Sequence, residues 1–287
     1  MSERIIHEKA VRQQKTAAGA VYDMDIQGIR DAFRSEHIVR LVDAKLFEAA
    51  KNCDTNLMVK LIHEDKADTN SLQRSRRDNS MVPMVVALIE SSDNHHISNS
   101  VFATLIENGM KPVGAEYGDL ITKLINNGFG LETVKLFNEN GYGSVQPDTD
   151  KFTRLMAASY HDRFEIVKYL VELDHDSINK KDDDGLSAIY HAAERPNDSK
   201  PIVVYLYSKG AELYHKQIPG DSRAAYIYKS KKTEHYDWDR LEELGHEIDD
   251  ILDSVRSRDQ YSYDCVPEDV LGGFFEFEAL NMQLRQQ

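Results

Sequence analysis

Residues 179–193 read N-K-K-D-D-D-G-L-S-A-I-Y-H-A-A, and the order of residue types in this stretch decides the fold. Asp184 and Gly185 form the tip of a tight hairpin turn, because glycine enters the φ > 0 region without a Cβ clash. Ser187 follows at the place where a hydroxyl accepts a free backbone N–H and starts a helix. Ile189, Ala192 and Ala193 then fall at spacings of three and four, so they share one helical face. Two alanines flatten that face enough for a neighbouring helix to lie close.

A second helix is expected at residues 201–212, P-I-V-V-Y-L-Y-S-K-G-A-E, with Gly210 as its stop. One helix-turn-helix unit of this size cannot bury its own apolar face, so further copies must stack on it. The chain supplies them. The first apolar position of each second helix falls at Met58, Val101, Thr133, Ile166 and Ile202, with separations of 43, 32, 33 and 36 residues. The long step contains residues 91–100, S-S-D-N-H-H-I-S-N-S, a polar run that reads as a loop insertion. Gly109, Gly141 and Gly210 close second helices in phase, and Lys66-Ala67-Asp68 stands where the first would have its glycine.

These residues resemble the ankyrin repeat, whose period is about 33 residues. The family pattern is an aspartate-glycine turn, a Thr-Pro-Leu-His helix start and an Ala-Ala pair. A second helix with Ile-Val and Leu-Leu pairs follows, with a Gly-Ala end. The chain departs from it with Ser187 for threonine, Ala188 for proline, Tyr190 for histidine and a longer inter-helix loop at 194–200. The resemblance implies an all-α ankyrin-repeat solenoid with short β-hairpin tips and about five repeats over residues 43–217. The first has its helices at 46–50 and 57–64, and the second has Pro83-Met84 at its helix start. The third is degenerate in its first helix. The fourth keeps Thr153 and Leu155, with Lys151 in place of the turn glycine, and residues 165–172, E-I-V-K-Y-L-V-E, follow the family closely.

Flanking regions obey the same demand for a covered end. Residues 3–18 and 25–35 are amphipathic, and residues 1–42 read as a helical N-terminal cap, with a mobile arm or an oligomerisation helix as alternatives. Residues 218–258 read as a degenerate sixth repeat or C-terminal cap, with helices at 221–228 and 238–244. Residues 259–287 read as an acidic, aromatic segment. From Glu234 onward there are 15 Asp or Glu against 4 Lys or Arg. The run Phe274-Phe275-Glu276-Phe277 is too apolar for a purely solvated tail, so it packs on the stack or docks elsewhere.

The chain has 287 residues and a net charge of −14, which disfavours nonspecific contact with nucleic acid or an anionic membrane and favours a protein partner with a basic surface. Two cysteines, Cys53 and Cys265, make no disulfide framework and no metal-ligand pair. The opening residues lack an apolar core of signal-peptide length, no run approaches about 18 apolar residues, and the chain reads as cytoplasmic.

Candidate chemistry is weak. His95-His96 lacks further ligands at metal spacing. His161-Asp162 falls in an inter-helix turn, and Asp182-Asp183-Asp184 lacks the alternation and distal glutamate of a calcium loop. Gly128-Phe129-Gly130 has neither the strand nor the lysine of a phosphate loop. No cofactor and no enzymatic activity is expected. Instead, the resemblance implies binding through hairpin tips and the inner face of the first helices. On this chain those positions are Asp78 and Asn79; Glu116, Tyr117 and Asp119; Thr149, Asp150 and Phe152 with Tyr160 and His161; and Asp183, Asp184 and Leu186 with Glu194 and Arg195. Phe152 and Leu186 are expected to be exposed anchors, rimmed by charge.

The implied function is a non-enzymatic adaptor or inhibitor that binds a protein through the concave face. The degenerate repeats resemble those of effector or viral ankyrin proteins. The alternative is a nucleic-acid mimic, whose acidic C-terminal region blocks a DNA- or RNA-processing enzyme.

Overall fold

The protein is described by a computed structural model, which places residues 40–91, 97–114, 117–142, 152–194, 200–213, 238–259 and 264–285. The chain divides into two units, residues 1–40 and 41–287, and all the described helices belong to the second. The N-terminal helices expected at 3–18 and 25–35 lie outside the described residues, as do residues 221–228 and the His95-His96 pair.

Helices come in pairs. The first pair is α1 (Leu41–Lys51) and α2 (Thr55–His63). A hairpin of β1 (Leu72–Arg74) and β2 (Met81–Pro83) leads into α3 (Met84–Ser91), which is followed by α4 (Asn99–Glu107). Next come α5 (Leu120–Asn126) with α6 (Leu131–Glu139), α7 (Arg154–Tyr160) with α8 (Phe164–Leu173), and α9 (Ala188–Ala193) with α10 (Lys200–Ser208). Two longer helices follow, α11 (Trp238–Arg256) and α12 (Glu268–Arg285). The first helices form one packed row, α1–α3–α5–α7–α9, and the second helices form another, α2–α4–α6–α8–α10.

The sequence ladder marks the inner side of the second row. Met58, Val101, Thr133, Ile166 and Ile202 are all buried, one per helix, against the neighbouring pairs. Ser91 ends α3 and Asn99 starts α4, so the polar insertion falls between them. In α9 the packing exceeds a single apolar face: all six residues are buried, because α7, α10 and α11 enclose the helix.

Turn chemistry follows the sequence at most positions. Gly185 has φ 83° in the hairpin turn, where Asp182 N–H donates to Leu186 O at 3.0 Å. Gly210 has φ 88° and lets Ala211 N–H return to Leu206 O at 3.0 Å. Lys66 takes the same left-handed conformation, φ 57°, with no glycine to relieve it, and Ala67 N–H bonds Leu61 O at 2.9 Å. Ser187 departs from expectation. It occupies the N-cap of α9, but its hydroxyl makes no cap bond and is buried without a hydrogen-bond partner among the described residues. Thr153 performs the expected cap in the preceding pair, accepting from Met156 N–H at 3.2 Å.

Adjacent pairs are joined by matching side-chain bridges. Asn70 Nδ2 donates to Gly109 O at 3.0 Å while its Oδ1 accepts from Lys111 N–H at 2.7 Å. Asn179 repeats this with Gly210 O at 3.1 Å and Glu212 N–H at 2.9 Å. Tyr142 does a similar job with a hydroxyl, donating to Met110 O at 2.6 Å, and burial raises its pKa.

In the C-terminal region the helix expected at 238–244 runs further than the sequence reading had it. Residues 238–244 are the start of the 19-residue α11, which packs on α9 and α10 in line with the first-helix row. The segment 259–287 supplies α12, which packs on α10 in line with the second row. Phe274 is fully buried, and Phe277 meets the Tyr207 ring edge-on at 5.3 Å, so the aromatic run packs on the stack. Arg256 of α11 donates from Nε and Nη2 to Glu278 of α12, each at 3.1 Å, and the Tyr207 hydroxyl of α10 donates to the same carboxylate at 2.8 Å. Burial works against the Arg256 charge, but its bonds to Glu278 and Asp253 outweigh this and raise its pKa.

Candidate protein-binding surface

The turn before α9 is built on Asp182. Its carboxylate accepts from Asp184 N–H at 3.0 Å and Leu186 N–H at 2.9 Å, which closes the turn, and lies 2.7 Å from Nε2 of His191. Burial raises the Asp182 pKa, but the His191 hydrogen bond, the two backbone donors and the imidazole charge overcome it, and the carboxyl lies below its usual range. The other imidazole nitrogen, Nδ1, is 3.0 Å from Glu194, which is also paired with Arg240 of α11. His191 thus ties the turn to its own helix, and Glu194 ties that helix to α11.

Aromatic rings gather at the same point. Phe152 meets the His191 ring edge-on at 5.1 Å, Tyr160 lies 6.5 Å from it, and His161 stacks edge-on to Tyr160 at 5.1 Å. Phe152, Tyr160 and His161 are half-buried, and Asp183 and Asp184 lie at the adjoining turn, both exposed. The structure therefore brings Phe152, Tyr160, His161 and Glu194 together around a buried histidine that sequence reasoning did not single out. The available signal was a histidine inside the apolar run of α9, nine residues after an aspartate.

Other expected positions are placed differently. Leu186 is not an exposed anchor: it is 1% accessible and belongs to the core, because the Asp182 bond to its N–H turns the chain inward there. Asp119 is 2% accessible. It caps α5 through Thr122 N–H at 2.9 Å and is held by Arg154 of α7, whose Nε and Nη2 both donate at 2.7 Å, so its carboxylate is committed inside the stack. Tyr117 is half-buried and packs against the core, and Phe152 does so too, with His191 against its ring. Asp78 and Asn79 are exposed at the tip of the β1–β2 hairpin. Glu116, Thr149, Asp150 and Arg195 lie outside the described residues.

Among the described residues no group of three or more His, Cys, Asp or Glu is placed to hold a metal ion, and no helix is long and apolar enough to cross a membrane. Two rows of short helices joined by tight turns define a helical repeat protein. Residues 115–217 match the family model for ankyrin repeats, in three copies. That match spans the pairs α5/α6, α7/α8 and α9/α10, and the packed rows extend beyond it to α1. None of the curated proteins compared matches the chain. Ankyrin repeats generally mediate protein–protein interaction.

Proposed function

We propose that this protein is a non-enzymatic adaptor or inhibitor, and that its partner docks a basic segment on the surface of Phe152, Tyr160, His161, Asp183, Asp184 and Glu194. The observation that carries the reading is the combination of half-buried rings with the accessible carboxylates of Asp183 and Asp184 on a turn held by Asp182. A partner's lysine or arginine would gain charge from the aspartates and a ring face from the aromatics. The test is quantitative capture from the native cell with the wild type and with Tyr160→Ala/Asp183→Lys/Asp184→Lys. Loss of a partner by the folded variant supports the surface, and equal recovery removes it.

The fit of α11 and α12 to the two rows supports their role as the closing unit of the C-terminal end. A second reading, the nucleic-acid mimic, is favoured by the outward carboxylates of α11: Glu242, Glu243, Asp250 and Asp253 are exposed along one long helix. Under that reading, binding to the partner enzyme falls steeply with salt and is lost when these four are neutralised, while the Tyr160/Asp183/Asp184 variant binds normally.

A further inference from the structure

The β1–β2 hairpin reverses the charge of the molecule locally. Residues 74–80 read R-S-R-R-D-N-S, with three arginines and one aspartate in a chain of net charge −14. Arg74, Arg76 and Arg77 are all exposed. Arg74 Nη1 makes a long bond to Asn79 O at 3.5 Å, and the rest of the turn that carries them is closed largely by its other residues. Ser75 N–H donates to Ser80 O at 2.7 Å and Asn79 N–H to Ser75 O at 3.1 Å. Asn79 takes the left-handed conformation, φ 62°, and Arg77 N–H donates to Ser75 Oγ at 3.1 Å. Asp78 accepts from both Ser80 N–H at 3.0 Å and Ser80 Oγ at 2.7 Å, and these bonds hold its pKa below the ordinary value.

The base of the hairpin is anchored as firmly. Strand pairing aligns Leu72 with Pro83, Gln73 with Val82 and Arg74 with Met81. Ser75 Oγ donates to Glu90 of α3 at 2.8 Å, and Glu90 is paired with Lys123 of α5 at 3.4 Å. Asp78 and Asn79 therefore shape the turn, and the arginines are displayed on a tip whose backbone is fixed.

From this geometry we propose that the hairpin tip is a binding site for an acidic peptide segment, with the guanidinium groups of Arg74, Arg76 and Arg77 taking consecutive carboxylates. Guanidinium forks match carboxylates in a bidentate way, and a preformed turn spares the ordering cost of docking. A short acidic segment fits better than nucleic acid, because a polyanion reaching beyond the tip meets the acidic remainder of the chain. This site stands apart from the surface around His191 and does not rest on it.

The test uses the full chain and a fluorescently labelled peptide of six glutamates flanked by glycine and serine, read by anisotropy at low and physiological salt. Saturable binding is expected, weakened about ten-fold or more by Arg76→Glu/Arg77→Glu. Arg76→Gln/Arg77→Gln, which introduces no repulsion, weakens it in the same direction, and Asp183→Lys/Asp184→Lys leaves the tip's own contacts intact and does not weaken it. Circular dichroism checks that the arginine variants are folded before binding is read. Absence of saturable binding, full binding by the glutamine variant, or tighter binding of a length-matched single-stranded DNA overturns the proposal.

Discussion

Asp182 shows how one side chain organises a repeat. Its carboxylate receives Leu186 N–H and Asp184 N–H on Oδ1 and meets the His191 ring at Oδ2, so one charged group joins three partners at once. Its pKa is depressed, so the stability it contributes is present above the unfolded-state value of about 3.9 and is lost as pH falls through the lower folded value. Asp182→Asn should therefore lower the Tm near neutral pH, and the two melting curves should converge in acid; parallel Tm profiles by circular dichroism would remove Asp182 as the source. Leu186 sits four residues away, and its burial changes what its truncation does. Leu186→Ala should cost about 2–5 kcal/mol in chemical denaturation, as core truncations do, whereas the half-buried Phe152→Ala should cost less. The ordering of the two variants checks the assignment of Leu186 to the core.

Within an element, the decisive property is how closely helices approach. Ala192 and Ala193 are buried in α9, which α7, α10 and α11 enclose. Ala192→Leu should destabilise the protein by about 1–3 kcal/mol through overpacking, and a melt that matches the wild type would show that the repeat register is wrong. Helix ends give the opposite case. Lys66 holds a left-handed conformation at the end of α2, where α10 uses Gly210. Lys66→Gly should stabilise by about 1 kcal/mol, the strain of an L-residue in this region less the entropy glycine adds to the unfolded chain. Urea denaturation at constant m-value measures it.

For the whole molecule, stability depends on every pair having a neighbour. The last pair finds its neighbour in α11 and α12, through Phe274, the Tyr207–Arg256–Glu278 network and the Arg240–Glu194 pair. Removing residues 238–287 should uncover the apolar side of α10, lower the Tm and cause self-association, as seen by light scattering after size exclusion. A truncated chain that stays monodisperse with an unchanged melt would show that the stack closes without these helices.

The number and phase of the helix pairs were legible in the sequence, because stacking demands an apolar residue at one point of every second helix and a turn at its end. Met58, Val101, Thr133, Ile166 and Ile202 carried that signal without any need for the turns to match a consensus. The surface was less legible. Whether Leu186 or Asp119 faces water depends on which way the turn folds and on whether Arg154 of the next pair reaches back, and neither fact is local. His191 was hidden for the same reason: its partners come from the turn nine residues before it, from its own helix and from the aromatic residues of the preceding pair. At the acidic end, the run Phe274-Phe275-Glu276-Phe277 left packing on the stack or docking elsewhere open, and the structure puts Ile248, Ile251, Leu252 and Val255, with Val270, Leu271 and Phe274, on the α9/α10 side. Local residue types determined the repeats, since each repeat is a local structure, whereas tertiary contact decided which side chains gather around His191 and where the C-terminal helices pack, since both are made from residues far apart in the chain.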